Sequence, residues 1–372
     1  MKFSRVALAS IGYVVPEVEI TSDWIESELR DVYERLKLPP GRLEGMSGIA
    51  SRRIWKEGTR LSDCSIASCR AAIDAAQLTC EQISQIGCLI HASVCREYLE
   101  PATACRVHHH VGLDEACWVY DVSNACLGIV NGCVQIASLI ESGSIRAGLV
   151  VGTEDSRGLM RATLRQLQAD EGLTRQSIKP AFASLTIGSG SCAWLLVDQA
   201  WWESLKPPPH REGAKLLGAV ARARTEFHEL CQSDTDQAGS GMLPIMQTDS
   251  ERLLEAGVAT GAATFRELLR ELEWTVDRVD ATVCHQVGAA HRRRILEALE
   301  VPVSKDFSTF RTTGNTGSVA LPTAFAMAIE AGFVDARDQV ALLGIGSGVN
   351  SVMLGLEYRD VAVRGVGQPA AR

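Results

Sequence analysis

Hydrophobic positions along this chain follow two rhythms. Short runs that are apolar throughout or at every second position predict strands near 4–15, 85–93, 117–122, 147–152, 184–198, 215–224, 279–285, 339–345 and 350–358. Between them, apolar residues recur at three- and four-residue spacing and predict helices near 22–36, 61–77, 101–111, 126–141, 250–271, 288–299 and 317–331. Strands alternating with helices in this way give an α/β layered fold. The segment 126–141 stands apart, because Ile129, Val130, Cys133, Val134, Ile136, Leu139 and Ile140 cover nearly its whole circumference. A helix apolar on all sides belongs between two sheets.

The pattern occurs twice. A helix ending Ile140-Glu141-Ser142-Gly143 leads to the strand Leu149-Val150-Val151-Gly152, and a helix ending Ile329-Glu330-Ala331-Gly332 leads to Val340-Ala341-Leu342-Leu343-Gly344. One offset of 189 residues aligns the helix ends and puts Cys126 on Asn315. The turn Ile187-Gly188-Ser189-Gly190 is likewise echoed by Ile345-Gly346-Ser347-Gly348. This suggests two duplicated halves, 1–200 and 212–372. The segment 154–186, with Arg157, Arg161, Arg165 and Lys179, is a helical or loop insert in the first. Trp201 to Arg211, with Pro207-Pro208-Pro209, is the expected connection, and the last dozen residues are expected to fray.

Composition narrows the function. At 372 residues, 46% hydrophobic and 22% charged, the chain can bury a large core, and a net charge of −8 argues against nucleic acid as a partner. The twelve cysteines contain no CxxC pair, and the N-terminus reads as a strand from Val6-Ala7-Leu8-Ala9 rather than a signal peptide. Free thiols in the cytoplasm are expected. No apolar run reaches the ~18 residues of a membrane span.

Cys126 is the candidate nucleophile. It lies where the strand Trp118-Val119-Tyr120-Asp121-Val122 gives way to the apolar helix, and a thiol in a helical first turn meets unpaired N–H groups that favour the thiolate. His285 follows the strand Asp280-Ala281-Thr282-Val283-Cys284, Asn315 sits in Gly314-Asn315-Thr316-Gly317, and Ser347 lies between Gly346 and Gly348. In layered α/β folds, loops at strand carboxyl ends converge on ligands. His108-His109-His110 reads as a solvated cluster, since adjacent helical residues cannot face one ion. Arg292-Arg293-Arg294 reads either as a solvated face or as an anchor for a phosphate or an acidic carrier.

Asn124-Ala125-Cys126-Leu127-Gly128, Cys284-His285-Gln286, Gly314-Asn315-Thr316-Gly317 and the glycine-rich final turn together resemble the thiolase-like condensing enzymes. Gly48-Ile49-x-x-Arg52-Arg53-Ile54 is similar to the segment near the pantetheine tunnel in the ketoacyl synthase III branch. Glu100 before Pro101 is similar to the OleA family, the long-chain acyl-CoA condensing enzymes of olefin biosynthesis. The resemblance implies a five-layer αβαβα thiolase fold, with Cys126, His285 and Asn315 as catalytic triad. It further implies that Glu100 is donated across a homodimer as base, that Cys126 and Ser347 N–H groups form the oxyanion hole, and that Arg52, Gly346 and Gly348 line the substrate path. Two fatty acyl-CoA molecules then undergo Claisen condensation, and the product is a β-keto acid or thioester. No metal or redox cofactor is implied, and acyl carrier protein or downstream olefin-pathway enzymes are further partner classes. Two rival readings are a synthase III using malonyl-carrier protein, where decarboxylation makes the carbanion, and a non-catalytic acyl-binding scaffold.

Overall fold

The computed structural model describes residues 1–205, 212–233 and 246–369. Its main element is an eleven-stranded mixed sheet made of two equivalent sides. One side runs Val6–Val14, Gly190–Asp198, Ala147–Glu154, Ile86–Ala92, Trp118–Val122. The other runs Gly213–Ala223, Asn350–Asp360, Gln339–Gly346, Ala281–Cys284, Asp306–Phe307. In both, the first three strands run antiparallel to their neighbours and the last three are mutually parallel. Within the sheet the sides join where Ala7 pairs Lys215 and Leu8 pairs Ala214.

The helices Gly128–Glu141 and Ala320–Glu330 fill the space between the two sides. Ile129, Val130 and Ile136 of one and Leu321, Ala324 and Phe325 of the other share a core with Ile90 and Val150 of one sheet side and Val283 and Leu342 of the other. Leu61–Ala76 and Thr103–Val111 cover one outer face, and Ser250–Leu272 with Ala289–Leu299 the other. Helix, sheet, helix, sheet, helix gives the five layers that the all-round apolar helix required. Among the described residues no helix is long and apolar enough to cross a membrane.

Several local expectations change. The strand expected at 184–198 begins at Gly190, because Ala183–Thr186 is a short 3-10 turn and the chain then pairs with the other half. There Asn315 N–H donates to Thr186 O (3.0 Å) and Gly188 N–H to Asn315 O (2.9 Å). A Cβ on Gly188 would stand 2.1 Å from Thr313 O, so only glycine fits. The C-terminus does not fray where expected: Ala362–Val366 pairs in parallel with Ser10–Val14. Its polar Arg364 and two nearby glycines hid the strand pattern. Val18–Thr21 and Ser51–Ile54 form a small antiparallel pair too short to stand out in sequence. In the expected connection, Trp201 and Trp202 belong to the helix Gln199–Glu203, while Pro207-Pro208-Pro209 lies outside the described residues.

The segment 154–186 holds the helices Arg157–Ala169 and Lys179–Phe182. Met160, Leu164, Leu167 and Phe182 pack on Ile25, Leu29, Val32 and Leu43, a core separate from the layers.

Candidate active site

The strand Trp118–Val122 runs into a tight turn before Gly128–Glu141. Ala125 adopts φ 45°, a left-handed conformation costly for a residue with a Cβ. The helix begins only at Gly128, with Leu127 at its N-cap, so Cys126 stands just ahead of the first turn rather than in it. Gly128 explains how the turn fits: a Cβ there would lie 2.7 Å from Ala92 O.

Cys126 opens onto a cavity of about 610 Å³. His285 and Asn315 line the same cavity, as do Gly346 and Ser347. An added Cβ on Gly346 would be 3.6 Å from the Cys126 Cβ, which places the final turn against the nucleophile. His285 leaves the end of Ala281–Cys284 with its N–H on Leu343 O (3.1 Å). Asn315 Oδ1 accepts Gly317 N–H (3.1 Å), leaving the amide NH2 as the group it can offer a ligand. Leu43, Met46, Leu159, Phe182, Leu253 and Leu254 make the remaining wall largely apolar.

The electrostatics reverse one expectation. Burial, with Cys231 and Glu154 close by, pushes the Cys126 thiol up to about 12, so the resting sulfur is protonated. Burial and the neighbouring His291 push His285 down to about 3, so its resting imidazole is neutral. The resting pair is therefore a thiol and a neutral imidazole rather than a thiolate and an imidazolium.

Other expected positions lie elsewhere. Arg52 is fully buried beneath the small strand pair, where its guanidinium donates to Ser22 Oγ and Ile20 O. Burial lowers it to about 10, and it does not reach the cavity. Gly348 lies behind the lining turn. Glu100 is exposed and off the cavity of its own chain. Nor does it cap Thr103–Val111, whose first N–H groups at Thr103 and Ala104 donate to Asp121 (2.8 and 2.9 Å). Arg292 is held by buried Asp306 (2.6 Å), and Arg293 pairs with Glu297 along the helix. In the histidine cluster, the His108 ring lies 3.0 Å from Asp114 O.

The cavity also holds residues that sequence reasoning passed over. Glu154 ends the strand Ala147–Glu154, so the strand-end rule that found His285 could have found it. Its Oε1 accepts Ser318 Oγ–H (2.5 Å) and Val94 N–H (3.0 Å), and Oε2 accepts Cys95 N–H (3.2 Å). Burial raises its carboxyl, and these donors oppose that rise. Glu154 thereby ties the loop after Ile86–Ala92 to the turn carrying Asn315. His291, Cys95 and Cys231 line the cavity too.

A cysteine, a neutral histidine and an asparagine amide facing one apolar cavity can carry acyl-thioester chemistry. Comparison with known proteins agrees. The family model for the C-terminal part of 3-oxoacyl-[acyl-carrier-protein (ACP)] synthase III matches residues 269–357, which include His285, Asn315 and Ser347. The acyl-CoA:acyl-CoA alkyltransferase of Shewanella oneidensis is 38% identical over 359 residues, covering 96% of this chain and 100% of the relative. This chain belongs to that family, the OleA family. Within it, a crystal structure of Xanthomonas campestris OleA with bound lauric acid and lauroyl-CoA superposes with a TM-score of 0.87 at 30% identity, covering 96% of this chain and 100% of that one. The β-ketoacyl-[acyl-carrier-protein] synthase III of Streptococcus suis is more distant, at 24% identity over 351 residues, 93% of this chain and 97% of the relative. As an OleA family member the chain is a thiolase-fold condensing enzyme, an acyltransferase that forms carbon–carbon bonds.

Proposed function

We propose that this protein joins two fatty acyl-CoA molecules by non-decarboxylative Claisen condensation through an acyl group on Cys126. The observation that carries the reading is the single apolar cavity to which separate loops deliver Cys126, His285 and Asn315. In this reading two thiolase-like halves, 1–200 and 212–372, supply the nucleophile and the His–Asn pair respectively.

Neutral His285 takes the Cys126 proton as the sulfur attacks the first thioester carbonyl. The carbon–sulfur bond to CoA breaks, CoA leaves as the thiol with that proton, and acyl-Cys126 remains. The second thioester oxygen then accepts hydrogen bonds from the Asn315 amide and the His285 ring. The partner subunit's Glu100 removes the α-proton, and the enolate carbon attacks acyl-Cys126. The oxyanion so formed accepts the N–H groups of Cys126 and Ser347, an interaction worth ~3–4 kcal/mol per donor. Collapse expels Cys126 and releases a β-ketoacyl-CoA, which water converts to a β-keto acid and CoA.

Glu154 is less suited to the role of base, since both its oxygens are already engaged. Glu100 belongs to an exposed stretch with Val94, Tyr98 and Leu99, and the edge strand Trp118–Val122 exposes Trp118. These apolar surfaces support a homodimer in which Glu100 crosses to the other subunit. A CoA-dependent reaction supports a cytoplasmic enzyme whose downstream partner consumes β-keto acids.

The test is incubation with a long-chain acyl-CoA alone. Release of CoA with a β-keto acid product, both lost in Cys126→Ala, is expected. Product formation only when malonyl-carrier protein is added would establish the synthase III chemistry instead.

A further inference from the structure

The helix Ser250–Leu272 borders the cavity through Ser250, Leu253, Leu254 and Gly257, one stripe at helical spacing. The next position on that stripe is Gly261. Glycine is disfavoured in a helix interior, so two of them four residues apart need a compensating reason. At Gly261 the reason is packing. A Cβ there would lie 2.6 Å from Ile345 Cδ1 and 2.9 Å from Ile295 Cδ1.

At Gly257 packing supplies no reason. A Cβ there would meet one neighbour, Ile345 Cγ2, at 3.6 Å, an ordinary van der Waals distance. Gly257 nevertheless lines the cavity, so the missing side chain leaves its space to the cavity and not to a protein group. Ile345 spans both glycines, with Cγ2 toward Gly257 and Cδ1 toward Gly261. It lines the cavity itself and is followed directly by Gly346 and Ser347. Ile295, packed against Gly261, is fully buried and does not line the cavity, so Ile345 bounds the limb of the cavity beside Gly257.

We propose that Gly257 and Ile345 set the acyl-chain length this enzyme accepts, Gly257 by leaving the limb open and Ile345 by ending it. The proposal rests on the reading that Cys126 carries a fatty acyl group in this cavity. Each methylene buried in an apolar limb favours binding by about fourfold, so a few carbons of extra or missing room are readily measured.

The experiment follows Cys126 acylation by intact mass, and CoA release, with saturated acyl-CoAs from octanoyl to octadecanoyl. Wild type, Gly257→Val and Ile345→Ala are compared, with thermal unfolding to verify the fold. Gly257→Val is expected to raise the ratio of octanoyl to octadecanoyl acylation by about tenfold or more, and Ile345→Ala to lower it. If Gly257→Val does not fold, Gly257→Ala, whose methyl fits at the observed distance, is expected to move the ratio the same way by a smaller factor. Acylation with the wild-type ratio in folded variants at both positions overturns the chain-length proposal alone. If wild-type Cys126 is not acylated by any of the series, the acyl-cysteine reading fails and takes this proposal with it.

Discussion

The Asn350 side-chain amide donates to Asn124 Oδ1 across 3.1 Å, joining the loop of Cys126 to the turn of Ser347. Asn124 in turn donates to Asn131 Oδ1 (2.7 Å) on the central helix. The proposed nucleophile and the far side of its oxyanion hole thus share one polar tether. Replacing Asn350 with Ala should slow single-turnover acylation of Cys126 by about tenfold, the scale of one lost partly buried hydrogen bond. Adding Asn124→Ala should cost little more, because both changes break the same link. Mass-spectrometric time courses of the single and double variants check this.

With its thiol pushed up to about 12, resting Cys126 should alkylate slowly with iodoacetamide near neutrality. Its rate should still be rising at pH 9, with no thiolate plateau below that value. Acyl transfer from a thioester should instead depend on His285, and His285→Ala should lower it by about 10²–10⁴-fold. Peptide mapping of alkylated Cys126 against exposed Cys80 and Cys105 gives an internal control.

Three buried histidines make the fold sensitive to acid. Burial lowers His285 to about 3 and both His91 and His291 to about 4. The unfolded chain protonates these residues below about 6.5 while the native protein does not. Stability should therefore be lost as pH falls from 6.5 toward 4, by roughly 3 kcal/mol for each histidine. Urea unfolding of His291→Gln over this range should show a slope shallower by one proton.

Gly188→Ala should be severely destabilising, by about 3 kcal/mol or more, because the new methyl would collide with the Thr313 carbonyl. Loss of the folded fraction in denaturant titration measures it. Gly41→Ala gives a comparison of another kind, since its Cβ meets nothing within 4 Å and only its φ of 72° opposes the change.

Much of this organisation is legible in the residues themselves. The repeated helix-and-strand pattern required two equivalent sheet sides, and an all-round apolar helix could sit only between them. Cys126, His285 and Asn315 stand out because each follows a strand or a glycine turn, where polar side chains escape the layers. Arg52 shows where such reading stops. Ser51–Ile54 is a strand, so its two adjacent arginines point to opposite sides, and no local signal says which one is buried. Glu154 obeys the same strand-end rule as His285, but the strand pattern in sequence stops short of it and the insert begins there. Gly257 and Gly261 look alike in sequence and differ only in what stands opposite them, which is a property of packing across the whole chain.

The strand Val6–Val14 spends one edge on Gly190–Asp198 and divides the other between Gly213–Ala223 and Ala362–Val366. Gly190–Asp198 and Gly213–Ala223 are synthesised well before Ala362–Val366, the partner of Ser10–Val14. Until Ala362–Val366 has been made, that edge offers unpaired N–H and C=O groups to any neighbouring extended chain. The nascent chain therefore carries an open edge until then, and removal of Ala362–Val366 would make that edge permanent.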